Sequence, residues 1–277
     1  MNDWSQWKNP LFVHGQRFHM QGFAADLQAQ VMYWSFTDTV IKTDLRNNIL
    51  AQATIADGHV GDIAYDNGTV YATLLGCPLP DHSWDDWTGF YLLEFDESLH
   101  LRQKTELLQV QNWFDHQNDC TRNPFGINGV DGITIAPFAC GEKKILLGAG
   151  ICNRPDCNCQ IILQYSFHEN HTYERLYSFS VGNTIFGIQN LTYDNQTDSC
   201  WFTCYAKESP WHCEETLFHV DIKKEQVTEK WKFDSPYGLA CLNDGYFLTS
   251  REAGEYGSKS GEALLARENK NYGLILL

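Results

Sequence analysis

The chain is short of positive charge. Its 277 residues hold 20 Lys and Arg against 35 Asp and Glu, a net charge of −15, and the basic residues nowhere cluster. A nucleic-acid backbone or an anionic membrane surface calls for such a cluster, so neither is an expected partner. Long apolar runs are lacking too: none approaches the roughly 18 residues that a spanning helix needs. The opening Met1-Asn2-Asp3-Trp4-Ser5 has neither a basic stretch nor an apolar core, so no signal peptide is read. On that reading the ten Cys are reduced thiols of a cytoplasmic protein. The Asn-X-Thr sites at Asn67, Asn170, Asn190 and Asn195 then carry no glycan.

Other absences narrow the chemistry. No long stretch keeps a 3.6-residue period, which excludes a substantial helix. There is no phosphate-binding loop, dinucleotide fingerprint, nucleophile elbow or H-E-x-x-H pair. Cys152, Cys157 and Cys159 lack the paired C-x-x-C spacing of a zinc ribbon. A zinc site completed by Cys120 or His212 stands as the alternative to plain thiols.

What the chain does have is aromatics, at 14%, and a repeated opening strand. Five segments align: His19-Met-Gln-Gly22-Phe, His59-Val-Gly-Asp62-Ile, Gly129-Val-Asp-Gly132-Ile, Gly187-Ile-Gln-Asn190-Leu and Ser235-Pro-Tyr-Gly238-Leu. The small or polar anchors are Gly22, Asp62, Gly132, Asn190 and Gly238. A second strand follows at 31–36, 70–75, 145–149, 201–205 and 246–249. A third follows at 40–45, 90–95, 161–167, 217–220 and 263–266. A more polar fourth is read at 49–55, 103–110, 173–179 and 225–233. Units of about 40 to 50 residues with four strands each are propeller blades. The expected fold is therefore all-β: a single-domain, five-bladed β-propeller with four-stranded antiparallel blades. The blades span roughly 19–58, 59–128, 129–186, 187–234, and 235–277 completed by 10–18. Either 11–18 or 273–277 closes the ring as the outer strand of the last blade.

A ring brings distant residues together. The starts of the innermost strands converge on the axis, carrying His19, Gln21, His59, Asp62, Asp131, Gln189, Asn190 and Tyr237. Long insertions at 77–88, 111–124, 151–159, 207–213 and 251–258 emerge at the same mouth, the usual place for binding and catalysis. His19 and His59 are candidate ligands of a divalent ion (Ca, Mn or Zn), or a base and acid oriented by Asp62 and Asp131. Tyr237 joins the catalytic candidates. Gln21, Gln189 and Asn190 are placed to hydrogen-bond a substrate, and Arg251 to hold a carboxylate. Trp84 and Trp211 lie in loops, where ring faces can stack on a sugar.

Phe18-His19-Met20-Gln21-Gly22, Tyr33-Trp34-Ser35-Phe36-Thr37, Lys42-Thr43-Asp44, His59-Val60-Gly61-Asp62, Gly187-Ile188-Gln189 and Tyr237-Gly238 together resemble an uncharacterised bacterial family of five-bladed propellers. The resemblance covers most of the chain and implies the fold. More distantly, Gln21-Gly22 after an aromatic is similar to the plant-type glutaminyl cyclases, whose first blade carries Phe-Thr-Gln-Gly. Here an extra residue intervenes, and Gly61-Asp62 stands where those enzymes have Glu-Gly. Five-bladed glycosidases set three carboxylates around the channel; Asp62 and Asp131 are the counterparts here. The expected function is a carbohydrate-active enzyme, a lyase or hydrolase acting on small glycosides or uronides. The alternatives are a binding propeller without turnover and a cyclase-like acyltransferase.

Overall fold

Apolar side chains alternate along the middle strands of each repeat, and Gly- or Asn-bearing turns join them. Such segments fold into antiparallel sheets that bury both faces. A computed structural model of the protein describes residues 11–14, 19–77, 87–138, 141–168, 170–205, 214–233, 237–250 and 260–277. Strand β1 (Leu11–His14) belongs to the last sheet. Blade one is β2 (Met20–Asp26), β3 (Val31–Phe36), β4 (Thr39–Asp44) and β5 (Ile49–Thr54). Blade two is β6 (Gly58–Asp66), β7 (Thr69–Gly76), β8 (Gly89–Asp96) and β9 (Leu101–Glu106). A helix, α1 (Leu108–Phe114), leads to blade three: β10 (Ile127–Pro137), β11 (Lys143–Ile151), β12 (Gln160–Ser166) and β13 (Tyr173–Phe179). Blade four is β14 (Ile185–Asp194), β15 (Ser199–Tyr205), β16 (Leu217–Asp221) and β17 (Gln226–Trp231). Blade five is β18 (Leu239–Cys241), β19 (Tyr246–Thr249) and β20 (Ser260–Asn269), with β21 (Gly273–Leu276) outside them.

Each innermost strand touches the next, β2 to β6, β6 to β10, β10 to β14 and β14 to β18, and β18 returns to β2. The sheets thus close into a five-bladed β-propeller. Both termini complete the last blade: β1 pairs with the 260–263 half of β20 and β21 with the 266–269 half. The sequence left open which terminus supplies the outer strand; both do, laid end to end. β20, at ten residues, is long enough to template two four-residue strands.

One apolar cluster fills each space between blades, because successive side chains of a middle strand point to opposite neighbours. On β11, Ile145, Leu147 and Ala149 face blade two while Leu146 faces blade four. On β15, Trp201 packs towards blade five and Phe202 towards blade three. Burying each such side chain contributes about 1.5–3 kcal/mol. Outer strands β5 and β9 alternate exposed and half-buried residues, as edges should.

The fourth strand of blade two is shorter than its apolar residues suggest. β9 ends at Glu106, and Val110 lies on α1. Leu107, Val110 and Trp113 are buried against the start of blade three, and that contact selects the helix over a longer edge strand.

The aligned anchors are where the inner strands leave regular register. Bulges fall between Met20 and Gly22, Val60 and Ile63, Val130 and Ile133, and Ile188 and Asn190. A bulge bends a strand and re-aims its side chains. It turns residues that would face a neighbouring blade towards the axis.

Candidate functional site

Below the bulges the axis is filled. Asp62, 1% exposed, accepts the backbone N–H of Ile63 at 2.9 Å on its own strand. It accepts Leu191 N–H from blade four at 3.1 Å and Ile133 N–H from blade three at 3.3 Å. Burial drives its pKa well above the ordinary carboxylate range, against the pull of these bonds and of the Asn190 amide. Asn190, fully buried, donates to Gln21 O of blade one at 2.8 Å. Four blades are tied at this level, and Asp62 and Asn190 are not among the cavity-lining residues.

Above that level lies a cavity of about 260 Å³, lined by His19, Gln21, His59, Asp131, Gln189 and Tyr205 with neighbours from strands and two loops. It lies on the side from which the insertions of blades two and three emerge. Trp87 and Asn153, from the insertions of blades two and three, stand on its wall.

His19 donates from Nδ1 to Met20 O at 2.9 Å, so Nε2 keeps the lone pair and meets the Gln21 amide at 3.4 Å. Burial lowers its pKa, partly offset by the Met20 bond. Gln21 also donates to Thr37 Oγ1 at 3.2 Å. His59 is 4% exposed and meets Trp87 edge-on, 6.2 Å between centroids. Asp131 rests on the bare Cα of Gly61, whose added Cβ would overlap Oδ1. Burial pushes its pKa up to about 7, against a hydrogen bond from Gln189. Tyr205 is raised well above a normal phenol by burial, then by the charge of Asp131 and by Tyr237. Rings run along one side in sequence: Phe186 to Tyr205 at 6.2 Å, Tyr205 to Tyr237 at 5.7 Å, and Tyr237 to His19 at 5.7 Å.

The structure therefore brings together His19, Gln21, His59, Asp131 and Gln189, sets Tyr237 beside them, and holds Asp62 and Asn190 apart in the layer beneath. Arg251, Trp84 and Trp211 lie outside the described residues. Among the described residues, no group of three or more His, Cys, Asp or Glu side chains is placed to hold a metal ion. His19, His59 and Asp131 all stand on the cavity wall but are not gathered into such a group. Cys157 packs on Gly126 beside Cys152, and its thiol is pushed up by burial. His212 lies outside the described residues.

Asn128, Asn153 and Phe186, which also line the cavity, escaped the sequence reading. Asn128 sits in a bulge between Ile127 and Gly129, one residue before the aligned repeat begins. Phe186 has φ +64° and precedes Gly187 at φ +78°. A Cβ on Gly187 would overlap Ala149 O, so glycine lets this strand cross close to blade three and turns the Phe186 ring outward. An aromatic-glycine pair opening the fourth repeat was the available signal.

Fold and site together define a five-bladed propeller with an axial cavity. No protein-family model matches the chain, and no curated protein does. Among solved structures it is similar to the glutaminyl cyclase of Myxococcus xanthus, at 10% identity and TM-score 0.54, covering 91% of this chain and 92% of that one. It is similar to a xylan β-1,4-xylosidase of Bacillus halodurans at 10% identity and TM-score 0.56, over 98% of this chain. A β-fructofuranosidase of Bombyx mori gives 14% identity and TM-score 0.53 over 94%. The chain spans only 56% and 62% of those two longer proteins. Likeness at such identity speaks for the fold alone. Among the described residues, no helix is long and apolar enough to cross a membrane.

Proposed function

We propose that the protein is an enzyme of carbohydrate chemistry, working by general acid–base catalysis on one small glycoside in the axial cavity. Asp131 carries this reading: a carboxyl on the cavity wall whose burial brings its pKa to about 7. A group that holds and releases its proton near neutrality suits acid catalysis. His19 is the complementary base, with its lone pair on Nε2 and burial favouring the neutral ring. The base takes a proton from water as the water oxygen attacks the anomeric carbon. The bond from that carbon to the leaving oxygen breaks, and Asp131 delivers its proton to that oxygen. Solvent returns the proton from His19 to Asp131. His59, Gln21 and Gln189 orient the sugar hydroxyls.

A hydrolase with paired carboxylates would need Asp62, whose carboxylate is engaged by backbone N–H groups of three blades. The lyase variant uses the same acid and base, the base taking a carbon-bound proton of a uronide. The sugar-cleaving names of two structural neighbours agree with a carbohydrate substrate but do not argue for it.

The test is a panel of glycosides and uronides, assayed for turnover and for binding. Asp131→Asn is expected to lower turnover by about 10²–10⁴-fold while binding persists, and His19→Ala by a similar factor. The aromatic wall of Trp87, Phe186 and Tyr205 favours a second reading, a binding propeller. Binding without turnover in the unmodified protein would establish that one instead. An N-terminal glutamine peptide added to the panel tests the cyclase-like alternative.

A further inference from the structure

We infer that the ligand of this cavity carries a positive charge: an ammonium group on a polyhydroxylated ring, as in an amino sugar, pairing with Asp131 inside an aromatic wall. The inference rests on the carbohydrate reading above in its binding form: an ammonium group paired with Asp131 keeps that carboxyl ionised, so such a ligand is held there and not protonated by it.

Among the described residues the charge on the wall is one-sided. Asp131 contributes a carboxylate, and no Lys or Arg lines the cavity among the described residues. None of the ion pairs among those residues includes Asp131, whose hydrogen-bond partner is the neutral Gln189 amide. Elsewhere in the same blades acids are matched: Asp66 with Lys143 at 2.6 Å, Glu174 with Lys144 at 2.7 Å. A half-buried carboxylate without a cation beside it is disfavoured, and a cation that enters relieves it.

The rings point the same way. Trp87, Phe186 and Tyr205 line the cavity, and Phe186 meets Tyr205 edge-on at 85°. Aromatic faces present negative charge and attract an ammonium group. Asp131 repels an anionic uronate. Gln21, Asn128, Asn153 and Gln189 add amides, which both donate and accept, as ring hydroxyls require. The volume of about 260 Å³ lies under the range typical of drug-sized ligands, so one sugar ring is the matching size. The net charge of −15 favours the approach of a cation through solvent.

The experiment measures binding by calorimetry for three monosaccharide series, gluco, galacto and manno, each as the neutral hexose, the 2-amino sugar and the uronate. Ethanolamine serves as a sugar-free amine. In one series the amino sugar is expected to bind at least about tenfold tighter than the neutral hexose. Asp131→Asn should remove that preference, bringing the amino sugar to within about threefold of the neutral hexose on the same variant, with circular dichroism and a thermal melt reporting that the variant is folded; a preference kept in Asp131→Asn overturns the inference. Neutral hexose or uronate binding as tightly as the amino sugar overturns the inference and leaves the carbohydrate reading standing. Ethanolamine bound through Asp131 with every sugar refused upholds the cationic site and ends the carbohydrate reading. No binding by any of them overturns both.

Discussion

The carboxylate of Asp62 lies against the bare Cα of Gly22, in the neighbouring blade. A Cβ added at Gly22 would overlap Oδ1 of Asp62 and press on its Cα. The two inner strands approach this closely because one anchor has no side chain and the other spends its side chain on the backbones of blades three and four. Gly22→Ala is expected to destabilise the fold by about 2–3 kcal/mol through overpacking. The loss should be smaller in an Asp62→Ala background, where the overlap with Oδ1 is gone and only the contact with Cα remains. Urea unfolding of the four proteins of this cycle measures both; equal losses in both backgrounds would refute the contact.

Asp62→Ala leaves the N–H groups of Ile63, Ile133 and Leu191 without their buried acceptor. At about 1–3 kcal/mol for each unsatisfied group, a total near 4 kcal/mol is expected. Asp62→Asn keeps one acceptor oxygen and should lose less. A chemical denaturation midpoint unchanged in the alanine variant would deny that this carboxylate joins the blades.

Asp131 makes stability depend on pH in a definite direction. Its folded pKa, about 7, lies above the ordinary 3.8. Folding thus favours the protonated acid. That contribution is complete below the unfolded pKa and is lost as pH rises through the folded one. Asp131→Asn cannot ionise. Relative to the unmodified protein it should gain stability between about pH 4 and about pH 8. Thermal melts across that window read the difference, and a constant gap would count against the buried acid.

The wall of the cavity depends on a residue outside it. Asn183, fully buried, donates from Nδ2 to Cys152 O and Arg154 O, both at 3.1 Å, and to Cys157 O at 2.5 Å. These bonds hold the loop that presents Asn153 to the cavity. Asn183→Ala should raise amide exchange across 152–158 and weaken ligand binding by about tenfold, with a stability loss of about 1–3 kcal/mol. Protection unchanged in that loop would show that Asn183 does not hold it.

Blades two and three are also joined at depth by His171 and Glu94, Nε2 to Oε1 at 2.7 Å, with His171 4% exposed. Glu94→Gln should cost about 1–3 kcal/mol, and His171→Ala more, since it also vacates volume beside Tyr71. Calorimetric melts of the two variants check the order.

The sequence by itself determined the five sheets. Alternation has a period of two residues and turns are set by one or two of them, so both are local and can be read along the chain. β3 and β19 fall where the sequence reading put them, and the anchors at Gly22, Asp62, Gly132 and Asn190 coincide with the bulges of the inner strands. Tertiary contact decided the rest. α1 is helical because burial of Val110 and Trp113 outweighs a strand-like local pattern. Both termini close the ring because β20 offers room for two partners. The division of the axial residues, Asp131 and two histidines facing a cavity and Asp62 turned into the backbone beneath, follows from where each bulge aims a side chain. That direction is set by neighbouring blades far away in sequence, and no local pattern encodes it.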